Sequence, residues 1–160
     1  MADVAVPYTL TTPGGTISFN PTGIDKFNML GGPDEYYITR APGLDGAPIR
    51  APVDNAPQTH GGLVHPFYKG PRRVVVEGFL AIRSTRIQDN VRVIRNEMEE
   101  DLRVALESIL QANGTLAWTV ELAGGPDARS LTVRNEIPLE CDGIEQKTFT
   151  FGLIAANPDW

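Results

Sequence analysis

Only one stretch of this sequence, residues 85–113, has the periodicity of an amphipathic helix. Its apolar residues recur at spacings of three and four and therefore share one helix face. They are Ile87, Val91, Ile94, Met98, Leu102, Ala105 or Leu106, and Ile109. Thr85 and Gln88 have the spacing of a capping box, and Asn113 with Gly114 predicts a left-handed helix stop. Because the other face is charged, the helix needs one broad apolar surface to lie against, and a sheet is the natural candidate.

Strand signals surround this helix. Alternating apolar residues bounded by Gly and Pro predict strands at 16–19, 24–30, 35–39, 72–82, 116–122, 130–137 and 147–155. The strand at 72–82 has apolar residues on both faces, which indicates a central strand covered on both sides. A Gly-Gly-Pro-Asp cluster at 124–127 predicts a hairpin between its two neighbours. The 16 glycines and 13 prolines among 160 residues also favour a β-rich fold, here with one helix in a single domain.

Residues 41–71 are the anomaly, because they contain six prolines and five glycines without sustained periodicity. Connections in compact domains rarely exceed about 15 residues unless they work as a lid, a binding loop or an arm. The stretch is nevertheless apolar at Leu44, Ile49, Val53, Leu63, Val64, Phe67 and Tyr68. Such side chains need a surface to lie on. Two interpretations stay open: a long loop folded over its own sheet, or an arm that crosses to a neighbouring subunit.

Charge and cysteine content exclude several classes of protein. A formal net charge of −6 gives no basic footprint for nucleic acid or an anionic membrane. Cys141 is the single cysteine, so there is no internal disulfide and no multi-thiolate metal site. No N-terminal signal peptide is recognisable, and no apolar run approaches the roughly 18 residues of a membrane span. We expect a soluble, acidic domain made in the cytoplasm.

Catalytic motifs are absent from the sequence. It contains no phosphate-binding loop, dinucleotide fingerprint, zinc-protease motif or nucleophile elbow. His60 and His65, with Asp54 nearby, are a weak metal candidate, and two loop histidines are usually just exposed polar residues. The flanking carboxylates of Glu140 and Asp142 disfavour a thiolate at Cys141.

The remaining charged residues are expected to be exposed on the protein surface rather than to form a site. The acidic run at 97–101 is expected on the solvent side of the helix, where no burial would raise a carboxyl pKa. Arg72 and Arg73 follow the long loop and could meet a phosphate or carboxylate ligand, although pairing with acidic neighbours is commoner. We therefore predict a protein that is not an enzyme and that holds no cofactor or metal.

The order of these sequence elements resembles that in a known protein family. Residues 70–80 read Gly-Pro-Arg-Arg-Val-Val-Val-Glu-Gly-Phe-Leu, a long charged helix and a Leu/Trp hairpin follow, and residues 149–159 read Phe-Thr-Phe-Gly-Leu-Ile-Ala-Ala-Asn-Pro-Asp. Over roughly residues 24–160 this resembles the distal tail protein (Dit) family of siphovirus-like bacteriophages and phage-like particles, gene transfer agents included, in their tail-tube-like domain.

The resemblance implies a fold and a role. The fold would be α+β, an antiparallel, tail-tube-like β-sandwich flanked by one long helix. The role would be structural: a hexameric ring at the tail tip that joins the tail tube protein to the baseplate or tail-tip hub, with a channel for tape measure protein and DNA. Such a protein would be part of the virion, at the tail tip. It would be made and assembled in the bacterial host cytoplasm and would have no membrane partner.

The resemblance also favours the arm interpretation of residues 41–71, since a long extension embraces the adjacent subunit in that family. The implied inter-subunit residues are Leu44, Ile49, Leu63, Val64, Phe67 and Tyr68, with Arg72 and Arg73 on the strand at the arm's exit. Many relatives carry a second domain that binds carbohydrate or further baseplate proteins, whereas this sequence stops at Trp160, so we expect an adaptor without direct host recognition.

Two alternatives to the distal tail adaptor are carried forward. One is a tail tube or tail-completion protein, because tube-like domains share one layout. The other is a small-ligand-binding or enzymatic domain that uses the His60/His65 loop together with Arg72 and Arg73.

Overall fold

The computed structural model describes residues 7–20, 34–44, 49–50, 53–55, 62–64, 68–82, 87–143 and 147–157. Within these ranges the chain forms eleven strands and one helix. Their bounds are β1 Tyr8–Thr12, β2 Gly15–Phe19, β3 Glu35–Arg40, β4 Ile49–Arg50, β5 Val53–Asn55, β6 Gly62–Val64, β7 Tyr68–Lys69, β8 Arg72–Ala81, α1 Ile87–Ser108, β9 Gly114–Leu122, β10 Gly125–Asp142 and β11 Thr148–Ala155.

Seven of the strands close into a barrel in the order β1-β2-β3-β8-β11-β10-β9, with β9 pairing back onto β1. The expected antiparallel β-sandwich is therefore wrong: the architecture is a closed, mixed barrel with one helix. Every pairing in the barrel is antiparallel except that of β2 with β3, which is parallel. A closed barrel is favoured over a sandwich because closure removes the free sheet edges that a sandwich would leave.

Closure depends on a short seam between β2 and β3. Among the described residues, Phe19 and Tyr36 are the one pair in register there. Asn20 extends the seam from a left-handed backbone (φ 51°): its N–H donates to the Tyr36 carbonyl at 3.0 Å, and its side-chain oxygen accepts from Ile38 N–H at 2.9 Å. An asparagine amide here takes the place of the next backbone group of the ladder.

The barrel interior is filled by one apolar cluster with aromatic rings at its centre. Phe19, Phe149 and Phe151 are almost completely buried, and their ring centroids lie 6.0–6.1 Å apart. A second, smaller cluster holds Tyr37, stacked at 5.0 Å on Phe79, together with Ala81. Because β8 contributes to both clusters, the prediction of a central strand covered on both sides is confirmed.

The predicted helix is present but shorter than 85–113, since α1 ends at Ser108. Its predicted apolar face is buried in the barrel core through Met98, Leu102, Ala105, Leu106 and Ile109. The predicted left-handed stop at Asn113–Gly114 is wrong: neither residue has a positive φ, and Gly114 begins β9. The capping box at Thr85 and Gln88 lies outside the residues whose side chains are described.

The predicted strands at 16–19, 35–39, 72–82, 116–122, 130–137 and 147–155 correspond to β2, β3, β8, β9, β10 and β11. The strand predicted at 24–30 lies outside the described residues. β1 had no counterpart in the sequence analysis. β10 runs on to Asp142 through two register shifts, between Asn135 and Ile137 and between Ile137 and Glu140.

A methyl group at Gly78 should destabilise the barrel. Gly78 lies opposite Phe149 on β11, and a Cβ there would overlap the Tyr37 carbonyl oxygen and approach Phe149 Cζ to 2.7 Å. Gly78→Ala should lower the free energy of unfolding by about 1–3 kcal/mol in a denaturant melt, because backbone and ring must both shift. Gly124→Ala is the matched control, since nothing lies within 4 Å of its Cβ position. Equal midpoints for the two variants would contradict the close strand contact.

Candidate functional site

The candidate interaction site begins where residues 41–44 leave the barrel beside β8. The Pro42 carbonyl accepts a hydrogen bond from Val75 N–H at 3.1 Å. Gly43 has a φ of 99° and lies so close to the Arg73 carbonyl that a Cβ would overlap it. Glycine is therefore required there on two counts. The sequence-predicted arm thus has a fixed base on its own barrel.

Beyond this base, four short strands form two separate two-stranded sheets, β4 with β7 and β5 with β6, which we call together the arm ribbon. β4 pairs antiparallel with β7, as Ile49 faces Lys69. β5 pairs antiparallel with β6, as Val53 faces Val64. The predicted absence of regular structure in residues 41–71 is therefore wrong where these strands are described.

The arm ribbon continues the register of the β3–β8 hairpin. Within one antiparallel hairpin, the residue numbers of opposite residues have a nearly constant sum. That sum is 116 to 118 in the β3–β8, β4–β7 and β5–β6 pairings alike, as for Ile38 with Gly78, Ile49 with Lys69 and Asp54 with Leu63. The Pro42–Val75 hydrogen bond between them falls on the same register. The described strands β3, β4 and β5 thus lie opposite β8, β7 and β6 in one antiparallel register.

The structure separates the predicted arm residues into three groups. Leu44 is buried in the barrel's own core, and its carbonyl accepts a hydrogen bond from Arg72 Nη1 at 3.3 Å. The backbones of Ile49, Leu63, Val64 and Tyr68 lie in the strands of the arm ribbon. Phe67 lies outside the described residues. The arm proper therefore starts after Leu44.

The two arginines at the arm's exit have different surroundings. Arg72 is almost fully buried at the base, where its contact with Leu44 ties the two sides of the hairpin together. Arg73 is exposed and forms a salt bridge from Nε to Glu136 at 3.1 Å. An exposed pair of this kind contributes little to stability. Pairing with an acidic neighbour, the commoner alternative to ligand binding in the sequence analysis, is thus observed for Arg73.

No group of side chains that could hold a metal ion is present in the described part of the chain. No group of three or more His, Cys, Asp or Glu side chains converges there. His60 and His65 lie outside the described residues. An open cleft on β1, β9 and β10 is lined by Pro7, Thr9, Thr119, Ser130 and their neighbours, and Arg129 is its one charged side chain. Among the described residues, no helix has the length and apolar character needed to cross a bilayer.

A carboxylate bridge, which the sequence analysis missed, joins the helix to the barrel. Glu99 of α1 accepts a hydrogen bond from Arg103 Nη2 at 2.9 Å on one oxygen and contacts Lys147 Nζ, just before β11, with the other. Glu99 is half-buried, so placing the whole acidic run at 97–101 on the solvent side is wrong for this residue. We call Glu99, Arg103 and Lys147 the Glu99 bridge.

Two neighbouring groups are held protonated. Burial, followed by the negative charge of Glu99, raises the pKa of the Cys141 thiol. Burial, with a smaller contribution from Asp101, raises the pKa of the Tyr36 phenol, which donates to the Met98 carbonyl at 2.6 Å. The predicted direction for Cys141 is confirmed, but the predicted cause is wrong: the negative charge comes from Glu99 rather than from Glu140 and Asp142.

The Glu99 bridge should make stability depend on pH in the acid range. The hydrogen bond from Lys147, together with Arg103, lowers the pKa of Glu99 despite its partial burial. A carboxyl whose pKa is lowered by folding stabilises the native state above its ordinary pKa, and this contribution is lost as the pH falls through the lowered pKa. The other titratable group facing it is Cys141, which stays neutral in this range.

The measurement is a pair of denaturant melts, at pH 7 and at pH 3, on the wild type and on Glu99→Gln. The wild type should be more stable at pH 7, by at most about 1 kcal/mol because the pair is partly exposed. The difference should shrink towards pH 3. A difference that is unchanged or larger at pH 3 would contradict the lowered pKa.

Comparison with known proteins bears on this fold. No protein-family model and no curated protein matches the sequence. Among solved structures, the chain is similar to Dit of phage SPP1, described as a paradigm of the hub adsorption apparatus in phages infecting Gram-positive bacteria, with a TM-score of 0.58 at 12% identity. The match covers 94% of this chain and 50% of SPP1 Dit, so the chain spans about half the length of that protein. The resemblance to distal tail proteins that residues 70–80 and 149–159 indicated is thus confirmed for the fold.

Proposed function

We propose that this chain is a structural subunit of a phage-like tail tip. In this proposal it forms a hexameric ring, a distal tail adaptor between tail tube protein and baseplate hub, with a channel for tape measure protein and DNA. The observation that carries the proposal is the likeness of fold to SPP1 Dit over 94% of the chain.

The arm ribbon supports assembly with neighbouring copies. A two-stranded ribbon on its own is at best marginally stable in water. This one has an apolar sequence at Ile49, Val53, Leu63, Val64 and Tyr68. In the proposed ring those residues, with Phe67, lie against the adjacent subunit, because one head-to-tail contact per subunit is enough to close a ring. Leu44 and Arg72 then act at the base, inside one subunit.

The net charge suits a ring through which DNA passes without binding. Six copies at −6 carry a formal charge of about −36. Exposed acidic side chains on α1 contribute to it: Glu97, Glu100, Asp101 and Glu107. Like-charge repulsion between such a ring and the phosphate backbone would oppose retention of DNA in transit.

Electron microscopy of the purified chain over a range of concentrations tests the adaptor against a tube protein of the same fold. A distal tail adaptor should give single rings whose length along the axis does not grow with concentration. Long tubes would favour the tube subunit instead. A chain that stays monomeric at every concentration would contradict both.

A further inference from the structure

The Asn113–Gly114 dipeptide, which is not the left-handed helix stop that the sequence predicted, has a chemical property of its own. In an Asn-Gly sequence the amide nitrogen of the glycine can attack the side-chain carbonyl carbon of the asparagine, because glycine has no Cβ to hinder the approach. Asn113 is exposed, and Gly114 follows it as the first residue of β9. A nucleophile and an electrophile are therefore held in neighbouring residues at this junction.

Arg134 of β10 binds the carboxamide of Asn113. Gly114 pairs with Val133 in the β9–β10 ladder, so Arg134 is the next residue opposite Asn113 in the same register. The Arg134 Nε–H donates a hydrogen bond to Asn113 Oδ1 at 2.9 Å. Because a guanidinium only donates hydrogen bonds, this contact requires the oxygen, not Nδ2, to face the arginine. The side-chain carbonyl of Asn113 is thus held beside a permanent positive charge.

A positive charge at this oxygen favours attack on the carbon. When the Gly114 nitrogen adds to Asn113 Cγ, negative charge develops on Oδ1, and a donor that is already in place stabilises it. The Gly114 amide belongs to the terminal pair of the described β9–β10 ladder. Strand ends open at the lowest free-energy cost, so this amide becomes available without unfolding of the barrel.

Packing requires a glycine at position 114. A Cβ there would lie 3.0 Å from Ile109 Cγ2 and 3.0 Å from the Thr11 carbonyl oxygen, tighter than ordinary van der Waals contact. Ile109 is fully buried, and Thr11 belongs to β1, the strand with which β9 closes the barrel. The reactive dipeptide is therefore tied to closure of the barrel.

We propose that Asn113 is a site of spontaneous deamidation and that Arg134 activates it. The bond from the Gly114 nitrogen to Asn113 Cγ forms, the Cγ–Nδ2 bond breaks, and Nδ2 leaves as ammonia with the proton of the Gly114 amide. Water then opens the cyclic imide at either carbonyl, which gives aspartate or isoaspartate. Either product adds one negative charge to the net charge of −6, and the aspartate product pairs that charge with Arg134. This chemistry is a property of the barrel and does not rest on the proposed tail-tip function.

Incubation of the full-length protein at pH 8, followed by peptide mapping with mass spectrometry, tests the site. The peptide that contains Asn113 should gain the mass difference between NH2 and OH about tenfold faster than the peptides that contain Asn96, exposed on α1, or Asn135, buried in β10. Chromatography separates the aspartate and isoaspartate forms, and Asn113→Asp supplies the standard for the first. A rate at Asn113 no higher than that at Asn96 would overturn the proposal.

Removing the arginine tests the activation. Arg134→Gln should slow deamidation of Asn113 by about tenfold, less than the effect of a donor in a water-excluded site, because Asn113 is exposed. Arg129→Gln, which removes another arginine of β10, is the charge-matched control and should keep the wild-type rate. In concentrated urea, wild type and Arg134→Gln should react at one rate, since the contact exists only in the folded chain. A folded Arg134→Gln protein that deamidates at the wild-type rate or faster would overturn the role of Arg134.

Discussion

Replacing residues 48–69 by a four-residue Gly/Ser linker should convert the assembled protein into a folded monomer. The linker removes the arm ribbon but keeps Pro42, Gly43 and Leu44 on β8, and Leu44 belongs to the core cluster. Obligate contacts are apolar, and one such contact per subunit closes a ring, so losing it should abolish the ring altogether. Size-exclusion chromatography with light scattering measures the mass, and near-ultraviolet circular dichroism reports the barrel.

The control for this deletion keeps the arm ribbon and shortens only its tip. Exchanging residues 56–61 for a four-residue linker leaves the β4–β7 and β5–β6 pairings in the sequence and should still give the assembled mass. If the protein without residues 48–69 assembles as the full chain does, the segment is a cover over its own barrel. The inter-subunit role of Ile49, Leu63, Val64, Phe67 and Tyr68 should then be dropped.

Leu102→Ala should cost about 2–5 kcal/mol of unfolding free energy. Leu102 is fully buried at the centre of the apolar face of α1, where the truncation leaves a cavity against the barrel. Val104→Ala is the matched control two residues away, because Val104 is 44% exposed and its loss should cost less than about 0.5 kcal/mol. Urea melts on both variants make the comparison. A loss below 0.5 kcal/mol for Leu102→Ala would show that this face is not part of the core.

Local patterns predicted most of the elements because each pattern is created by burial on one face. The alternation at Leu116 and Trp118 and at Phe149, Phe151 and Leu153 follows the inward side of β9 and β11. The end of α1 was missed for a related reason. Ile109 is fully buried in the turn after Ser108, so the apolar spacing runs past the helix. Periodicity therefore marks the buried face of the chain rather than the helix boundary.

Closure of the barrel could not be predicted from local patterns. It requires β1, whose Tyr-Thr-Leu-Thr-Thr sequence alternates before the turn at Pro13–Gly15, a signal that was overlooked. It also requires the contact of β2 with β3, where Phe19 pairs with Tyr36 and the Asn20 side chain accepts a hydrogen bond from Ile38 N–H. A third requirement is an unbroken β10, in which Pro138 falls at a register shift where no ladder donor is needed. These features join residues that are far apart in sequence. Local alternation does not reveal them, because the strands of sandwiches and of barrels alternate in the same way.

For the candidate site too, the sequence predicts local features but not the contacts between residues far apart in the chain. The composition of residues 41–71 identified an unusual segment, but only the register of β3 with β8 shows that the segment continues a hairpin. Glu99 and Arg103 are four residues apart and so share one helix face, as their contact requires. Lys147 reaches Glu99 from residues far away in sequence, so neither the bridge nor the cause of the raised Cys141 pKa could be predicted.

Native mass spectrometry of the purified full chain tests the central proposal most directly. A hexameric ring of a 17.4 kDa chain has a mass of about 104 kDa, and that species should dominate at micromolar concentration and appear as a closed ring with a central channel in micrographs. A mass that stays at 17.4 kDa under the same conditions, or a continuous series of open assemblies without a closed ring, would contradict a ring-forming adaptor.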